Sequence, residues 1–282
     1  MKTDFESVDY ARERINQIPI LFQTDMIQAY QQGTKSQTRR TRSLKHINLD
    51  PDAYKFIGFR WNYDGKKNKQ RYCACFEHID TGFINNIESP YGKQNDLLWV
   101  RETGWVDNNY QRGLNRPSAL YWKADYDTYD DLTKVMIRDH MCQFSAIHMY
   151  KDFCRHWLRN TEVRVQRLRE ISTEDALAEG ITRWKNMEHF LDQFDRKKLT
   201  TTEKVVYDAW KDAEKFNFPV YRKYIDSIEV PEKFRITDNA VESYISLFLS
   251  INEQLHFDLN HPKNNPWVWV IGFEMTDKPK IF

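Results

Sequence analysis

No uninterrupted apolar run in this chain approaches the roughly 18 residues that a membrane-crossing helix needs, and Met1–Asn16 is too charged for the apolar centre of a signal peptide. Those two absences predict a cytoplasmic protein with no membrane partner. Cysteine is scarce. Cys73, Cys75, Cys142 and Cys154 are the only four in 282 residues, too few for a disulfide framework, so reduced thiols are expected. Cys73 and Cys75 with His148 or His156 come nearest to a zinc set, but no second CxxC-type pair completes it, and neither metal nor cofactor is expected. An excess of one charge is missing too: 42 Lys and Arg against 41 Asp and Glu leave +1, unlike the strongly basic balance of a dedicated nucleic-acid binder. Any anionic ligand must therefore be held locally. Internal repeats and low-complexity stretches are absent from the sequence as well.

What is present is a folded composition, 40% apolar and 15% aromatic with 29% charged residues, and a mean hydropathy of -0.77 that reflects a polar exterior. The length allows one large domain or two small ones. The reading adopted is an N-terminal arm over 1–16 and a single domain over 17–282, with a helical insertion at about 182–237. That insertion is charged and aromatic, which suits a subdomain packed on the rest and a surface for a protein partner.

Pro19-Ile20-Leu21-Phe22 reads as a short buried strand, and Thr24 is placed to cap a helix running to Gln32, with Met26, Ile27 and Tyr30 on one face. Gly33 suits the left-handed position that ends a helix, so Thr34–Arg40 is expected as a turn. Tyr54–Trp61 and Arg71–Glu77, separated by a stretch carrying Asp64-Gly65, predict a hairpin. Further strands are expected at Leu97–Arg101, Ala119–Trp122, Glu162–Leu168 and Trp267–Phe273. Helices are expected near Met149–Leu158, at Thr173–Glu179, about Asn186–Lys215 and at Asp238–Leu255. Short strands spread from end to end with helices between them predict an α+β fold built on a closed mixed β-barrel.

Four groups of residues can carry chemistry. Gly33–Arg40 puts three hydroxyls, one ammonium and two guanidiniums into eight residues, a concentration that suits an anion or a nucleobase and equally suits a solvated basic loop. Lys35 and Thr38 are three apart, close enough for an amine to ease deprotonation of a hydroxyl nucleophile. Arg42 and Lys45 extend the same basic cluster. In Ser172–Ile181, Ser172 with Asp175 resembles a capping box and Gly180 closes the helix, while Glu179 sits in the last turn, where the helix dipole disfavours a carboxylate. Such an acid is either a tuned proton donor or acceptor, or an exposed residue paired with a cation. Arg101 and Glu102 follow a strand, and Ser145 and His148 precede the expected helix, so both sets can project from a barrel rim and contact a ligand. Alternation places Trp267 and Trp269 on one face, as core or as a stacking surface.

In order, Pro19–Phe22, Gly33-Thr34-Lys35-Ser36-Gln37-Thr38-Arg39-Arg40, Leu98-Trp99-Val100-Arg101-Glu102-Thr103, Ser145–Met149, Val163–Leu168, Asp175–Ile181 and Asn265–Ile271 together resemble the ASCH domain, a relative of the RNA-binding PUA barrel, in its phage and prophage form. The resemblance implies a PUA-like mixed β-barrel decorated with helices. Among small ASCH proteins is an amidohydrolase of N4-acetylcytidine that uses a Lys and a Thr of a Gly-x-Lys-x-x-Thr motif and a Glu on a later helix. Carried over, these fall on Lys35, Thr38 and Glu179, with Arg39, Arg40, Arg101, Glu102, Ser145 and His148 as substrate or nucleic-acid contacts. The implied partner is a modified nucleoside or RNA. This chain is far longer than the compact amidohydrolases and carries Gln37 and Arg39 within the motif. A non-catalytic RNA or nucleotide-binding module, a ribonuclease, and a phage accessory or morphogenesis protein are the competing readings.

Overall fold

The structure is a computed structural model that describes residues 14–66, 69–111, 117–126, 141–212, 219–223, 235–252 and 265–279. Its chain divides into two compact units, one formed by Met1–Val165 with Trp269–Phe282 and the other by Gln166–Val268. The expected arm lies, up to residue 13, outside the described residues.

The first unit carries the strands β1 (Gln17–Leu21), β2 (Gln37–Arg40), β3 (Tyr54–Asp64), β4 (Lys69–His78), β5 (Ile84–Glu88), β6 (Leu97–Arg101), β7 (Gly104–Asp107), β8 (Leu120–Trp122), β9 (Met141–Phe144) and most of β10 (Trp157–Arg167). The second carries β11 (Arg183–Trp184), β12 (Val220–Arg222) and β13 (Ile236–Thr237), and β14 (Trp267–Thr276) returns the chain to the first. The fold is α+β. Its main sheet runs in the order β1-β6-β10-β14-β2 and is mixed, since β1 is parallel to β6 while β10 is antiparallel to β6 and β2 to β14. Three smaller sheets are ordered β3-β4-β5, β8-β7-β9 and β11-β12-β13.

Paired residues share a face and successive residues alternate, so the register sorts the side chains. Ile20, Val100 and Leu158 lie on one face of the main sheet, and Pro19, Trp99 and Trp157 on the other. On the β14–β2 side, Ile271 pairs with Thr38 and Trp269 with Arg40, while Val270 pairs with Arg39. The ring of Phe22, just past β1, meets Phe273 at 5.8 Å, which joins both halves of the first face. Helix α1 (Thr24–Gln31) buries Ile27 and Tyr30, and the Tyr30 ring meets Phe273 of that face at 6.4 Å. Leu98, Leu158 and Ile271 are fully enclosed, each contributing about 1.5–3 kcal/mol of transfer free energy.

The hairpin of β3 and β4 forms as expected, with a bulge between Phe56 and Gly58. Phe59 and Tyr72 stack at 4.9 Å across it. Against the second face of the main sheet, Leu97 and Trp157 join Trp122, Met149, Phe153 and Cys154 in one apolar cluster.

Several expectations are corrected. Thr24 is the first residue of α1 rather than its cap, and the Gln23 side chain at the cap position does not cap the helix. Gln37–Arg40, expected within a turn, is β2, because pairing with β14 satisfies its backbone. The helix expected over Met149–Leu158 is a 3-10 turn at Lys151–Phe153 followed by the start of β10, where Trp157 pairs with Trp99.

The first α-helix of the second unit is α2 (Thr173–Ala178). The long helix expected at Asn186–Lys215 is instead α3 (Met187–Leu191), a 3-10 turn and α4 (Thr201–Asp212), with residues 213–218 outside the described set. Phe190, Met187, Leu191 and Leu199 form its core with Trp184 and Trp210 packed on it. Helix α5 (Ala240–Ile251) is capped by Asn239, whose side-chain oxygen accepts from the N–H groups of Val241 and Glu242 at 2.9 and 3.1 Å.

Candidate functional site

The end of α1 delivers the motif residues. Gly33 takes φ of +73°, a left-handed conformation that a side chain opposes. The N–H groups of Thr34 and Lys35 both donate to the Ala29 carbonyl, at 2.9 and 3.2 Å, and the Phe273 N–H donates to the Ser36 carbonyl at 2.9 Å. The chain therefore reverses at once into the sheet. Lys35, Thr38 and Arg39 are only 4%, 1% and 3% exposed, so this is not the solvated loop that the composition also fits.

Alternation divides the motif. Thr38 and Arg40 share the first face, and Arg39 points to the second. The Lys35 ammonium lies 5.9 Å from the centre of the Phe22 ring, and the Arg40 guanidinium lies 5.9 Å from the same ring. Phe22 thus marks Lys35 as a neighbour of the face that carries Thr38. Arg40 also donates to the Leu21 carbonyl at 2.8 Å, whereas Arg42 and Lys45 are exposed.

The Phe22 N–H donates to the Arg101 carbonyl at 3.1 Å, extending the parallel pairing so that Phe22 sits beside Glu102. Glu102 is 2% exposed. Arg155 holds it with two parallel bonds of 2.9 Å and reaches Asp125 at 2.6 Å with its remaining nitrogen. Such bidentate pairing is the geometry that best offsets burial of a carboxylate. Burial raises the Glu102 pKa against the lowering effect of Arg155. His156 places Nε2 3.8 Å from the Glu102 carboxylate, but burial, reinforced by the Arg155 charge, lowers its pKa to about 4, so the imidazole is neutral at pH 7. Tyr30 packs edge-on against His156 at 5.4 Å, and burial pushes its phenol up to about 12. Burial likewise drives the Cys154 thiol to about 11, which leaves it protonated and unreactive.

The structure therefore brings Lys35 and Arg40 over the Phe22 ring, sets Phe22 beside Glu102 and leaves Thr38 on the face of Arg40; to Glu102 it adds Arg155 and His156, with Tyr30 packed on His156, none of them a sequence candidate for the site. His156 was hidden by the helix expected over its segment. A period of two, with His156 and Leu158 on one face, was the available signal. Arg101, grouped in the sequence with Glu102, faces the opposite way, with its guanidinium 5.5 Å over the Trp99 ring. Ser145 and His148 are exposed on a 3-10 turn, Ala146–His148, instead of introducing a helix.

In the second unit, Glu179 is the C-cap of α2 and is 4% exposed. It is not the exposed acid that its position also allows. Ser172 caps the other end, its hydroxyl accepting from the Asp175 N–H at 3.1 Å, and Gly180 closes the helix with φ of +78°.

All four cysteines are free thiols. Among the described residues no cluster of His, Cys, Asp and Glu could hold a metal, and no helix is long and apolar enough to cross a membrane. Trp269 is wholly enclosed and donates its indole N–H to the Arg42 carbonyl at 2.9 Å, which makes it core. Comparison of the chain with family models, curated proteins and solved structures finds no match to any of them.

Proposed function

We propose that this is an ASCH-type protein with a PUA-like core, and that the face carrying Lys35 and Thr38 hydrolyses the amide of an N-acylated nucleoside such as N4-acetylcytidine in the cytoplasm. The observation that carries the reading is the burial of Lys35, whose ammonium lies over the Phe22 ring, together with that of Thr38, three residues on in the same segment and on the face of Arg40. In this reading the Lys35 ammonium and the Thr38 hydroxyl, at the sheet edge beside a helix end, are the groups that meet a polar ligand.

In this mechanism Thr38 Oγ1 attacks the acyl carbonyl carbon while the Lys35 ammonium stabilises the forming alkoxide. The hydroxyl proton passes to the exocyclic nitrogen, the C–N bond breaks, and the free amine leaves. Water then cleaves the acyl ester on Thr38 to a carboxylate and restores the hydroxyl. Arg40, on the same face as Thr38, suits the oxyanion better than Arg39 or His148. The resemblance assigns the acid role to Glu179. Glu102 is already held by Arg155 and serves in this reading to fix the charge balance of the Lys35 face.

The test is turnover of N4-acetylcytidine and a panel of N-acylated nucleosides, read by mass, for the native protein and for Lys35→Ala, Thr38→Ala and Glu179→Gln. Turnover by the native protein and loss of at least 100-fold in Lys35→Ala and Thr38→Ala supports the proposal. No turnover of any substrate by folded native protein overturns it.

A further inference from the structure

Strands β1 and β2 are the two outer members of the main sheet, with β6, β10 and β14 between them. They nevertheless meet at one place. Arg40 of β2 donates through Nη2 to the carbonyl of Leu21, the last residue of β1, at 2.8 Å, and the same nitrogen lies 3.7 Å from Met26 Sδ in the first turn of α1. A side chain, not a strand pair, joins the two edges here. Phe22 adjoins it, 3% exposed, with its ring 5.9 Å from the guanidinium and 5.8 Å from the ring of Phe273.

Two properties of this junction bear on what it accepts. Arg40 keeps its charge: among the described residues no carboxylate pairs with it, and its Nε is buried without a hydrogen-bond partner. A half-buried guanidinium with a spare donor is completed by an oxyanion. The neighbours of that guanidinium are otherwise apolar. The half-buried Met26 thioether and the Phe22 ring offer no strong donor or acceptor. A nucleobase turned towards them would leave the polar atoms of its edge unpaired, a cost that an alkyl group avoids. In the reaction proposed above, the alkyl part of the acyl chain is one bond from the carbon that carries the oxyanion. An oxyanion held by Arg40 therefore sets that chain against Met26.

We propose that Met26, with the Phe22 ring beside it, is the specificity-determining contact for the acyl chain and makes the substrates short-chain N-acyl nucleosides, acetyl before butyryl. The assignment rests on the amidohydrolase reading and narrows its substrate class. An unbranched thioether side chain fills an irregular space and yields to one added carbon more easily than to two. Discrimination by a single methylene in an apolar contact reaches about tenfold or more in kcat/KM.

The experiment compares kcat/KM for N4-acetyl-, N4-propionyl- and N4-butyrylcytidine and for N6-acetyladenosine, using the full chain as native protein, Met26→Ala and Met26→Leu. The native protein favours acetyl over butyryl by at least about tenfold. Met26→Ala vacates the space of the thioether and raises butyryl relative to acetyl by at least about tenfold, while Ala, a strong helix former, keeps α1 intact. Met26→Leu, a volume-conserving exchange, restores the native order. The acetyl-to-butyryl ratio does not depend on the amount of active protein, so a variant that is partly unfolded still reports it. An unchanged ratio in Met26→Ala overturns the assignment. So does a Met26→Ala protein whose preference moves between cytidine and adenosine but not among acyl chains, since that places the base against Met26. No turnover of any substrate by folded native protein overturns the amidohydrolase reading and this assignment with it, whereas turnover with a ratio indifferent to Met26 overturns this assignment alone.

Discussion

The two faces of the main sheet treat charge in opposite ways. On the first, Glu102 is enclosed and met by a bidentate Arg155, whose charge also answers Asp125. On the second, Arg101 and Lys151 rest on tryptophan rings with no carboxylate partner among the described residues. Adjacent residues of one strand end, Arg101 and Glu102, thus belong to different electrostatic settings. Burial with a partner favours a fixed arrangement at which a small substrate can be oriented, while half-exposure without one leaves the charge to solvent.

The comparison is broken most sharply at Arg155. Removing it strands Glu102 without its cation, so Arg155→Ala lowers unfolding free energy by about 3 kcal/mol, measured by urea denaturation. Arg101→Ala in the same assay changes stability by no more than about 0.5 kcal/mol. Equal losses in the two variants would show that the faces do not differ as described.

Acid sharpens the comparison on the first face alone. The His156 pKa falls from an ordinary 6.5 to about 4 in the fold, so the unfolded chain takes up this proton first as pH drops. The stability contributed is whole above pH 6.5 and is lost as pH falls towards 4, at up to about 1.4 kcal/mol per pH unit. A His156→Gln protein has a shallower pH dependence across that window. Parallel curves for the two proteins would remove His156 from the enclosed cluster.

A smaller effect concerns how Lys35 is delivered. Gly33 has open space where a Cβ would stand, so Gly33→Ala meets only the cost of its positive φ, about 1 kcal/mol. Gly33→Asn costs less, since Asn tolerates this conformation. Of similar size, Ser172→Ala removes the cap of α2 and costs about 1 kcal/mol in the second unit.

The sequence made some of this legible. The hairpin of β3 and β4 was readable from Asp64-Gly65 between two β-rich runs, β14 from alternating tryptophans, and the end of α1 from Gly33, because each signal is local. Strand β2 was not readable. Gln37-Thr38-Arg39-Arg40 has no apolar alternation, and its burial comes from pairing with a strand more than two hundred residues away in the chain, as does the Trp269 bond to Arg42. The helix read over Met149–Leu158 was wrong for the same reason: apolar residues there fill the cluster beneath Trp122, and spacing alone did not distinguish a turn and strand from a helix. Lys35, Thr38 and Glu102 were legible as candidates by residue type. Arg155 and His156 were not, since the Glu102 pairing spans 53 residues of sequence.

The central claim, that Thr38 is a nucleophile on an enclosed polar face, is tested most directly by mixing the protein with N4-acetylcytidine, quenching in acid and mapping peptides by mass. The account predicts one acetyl group on the peptide containing Thr38, absent from Thr38→Ala and depleted in Lys35→Ala. Turnover with no acyl group on that peptide, or an undiminished adduct in Thr38→Ala, would contradict it.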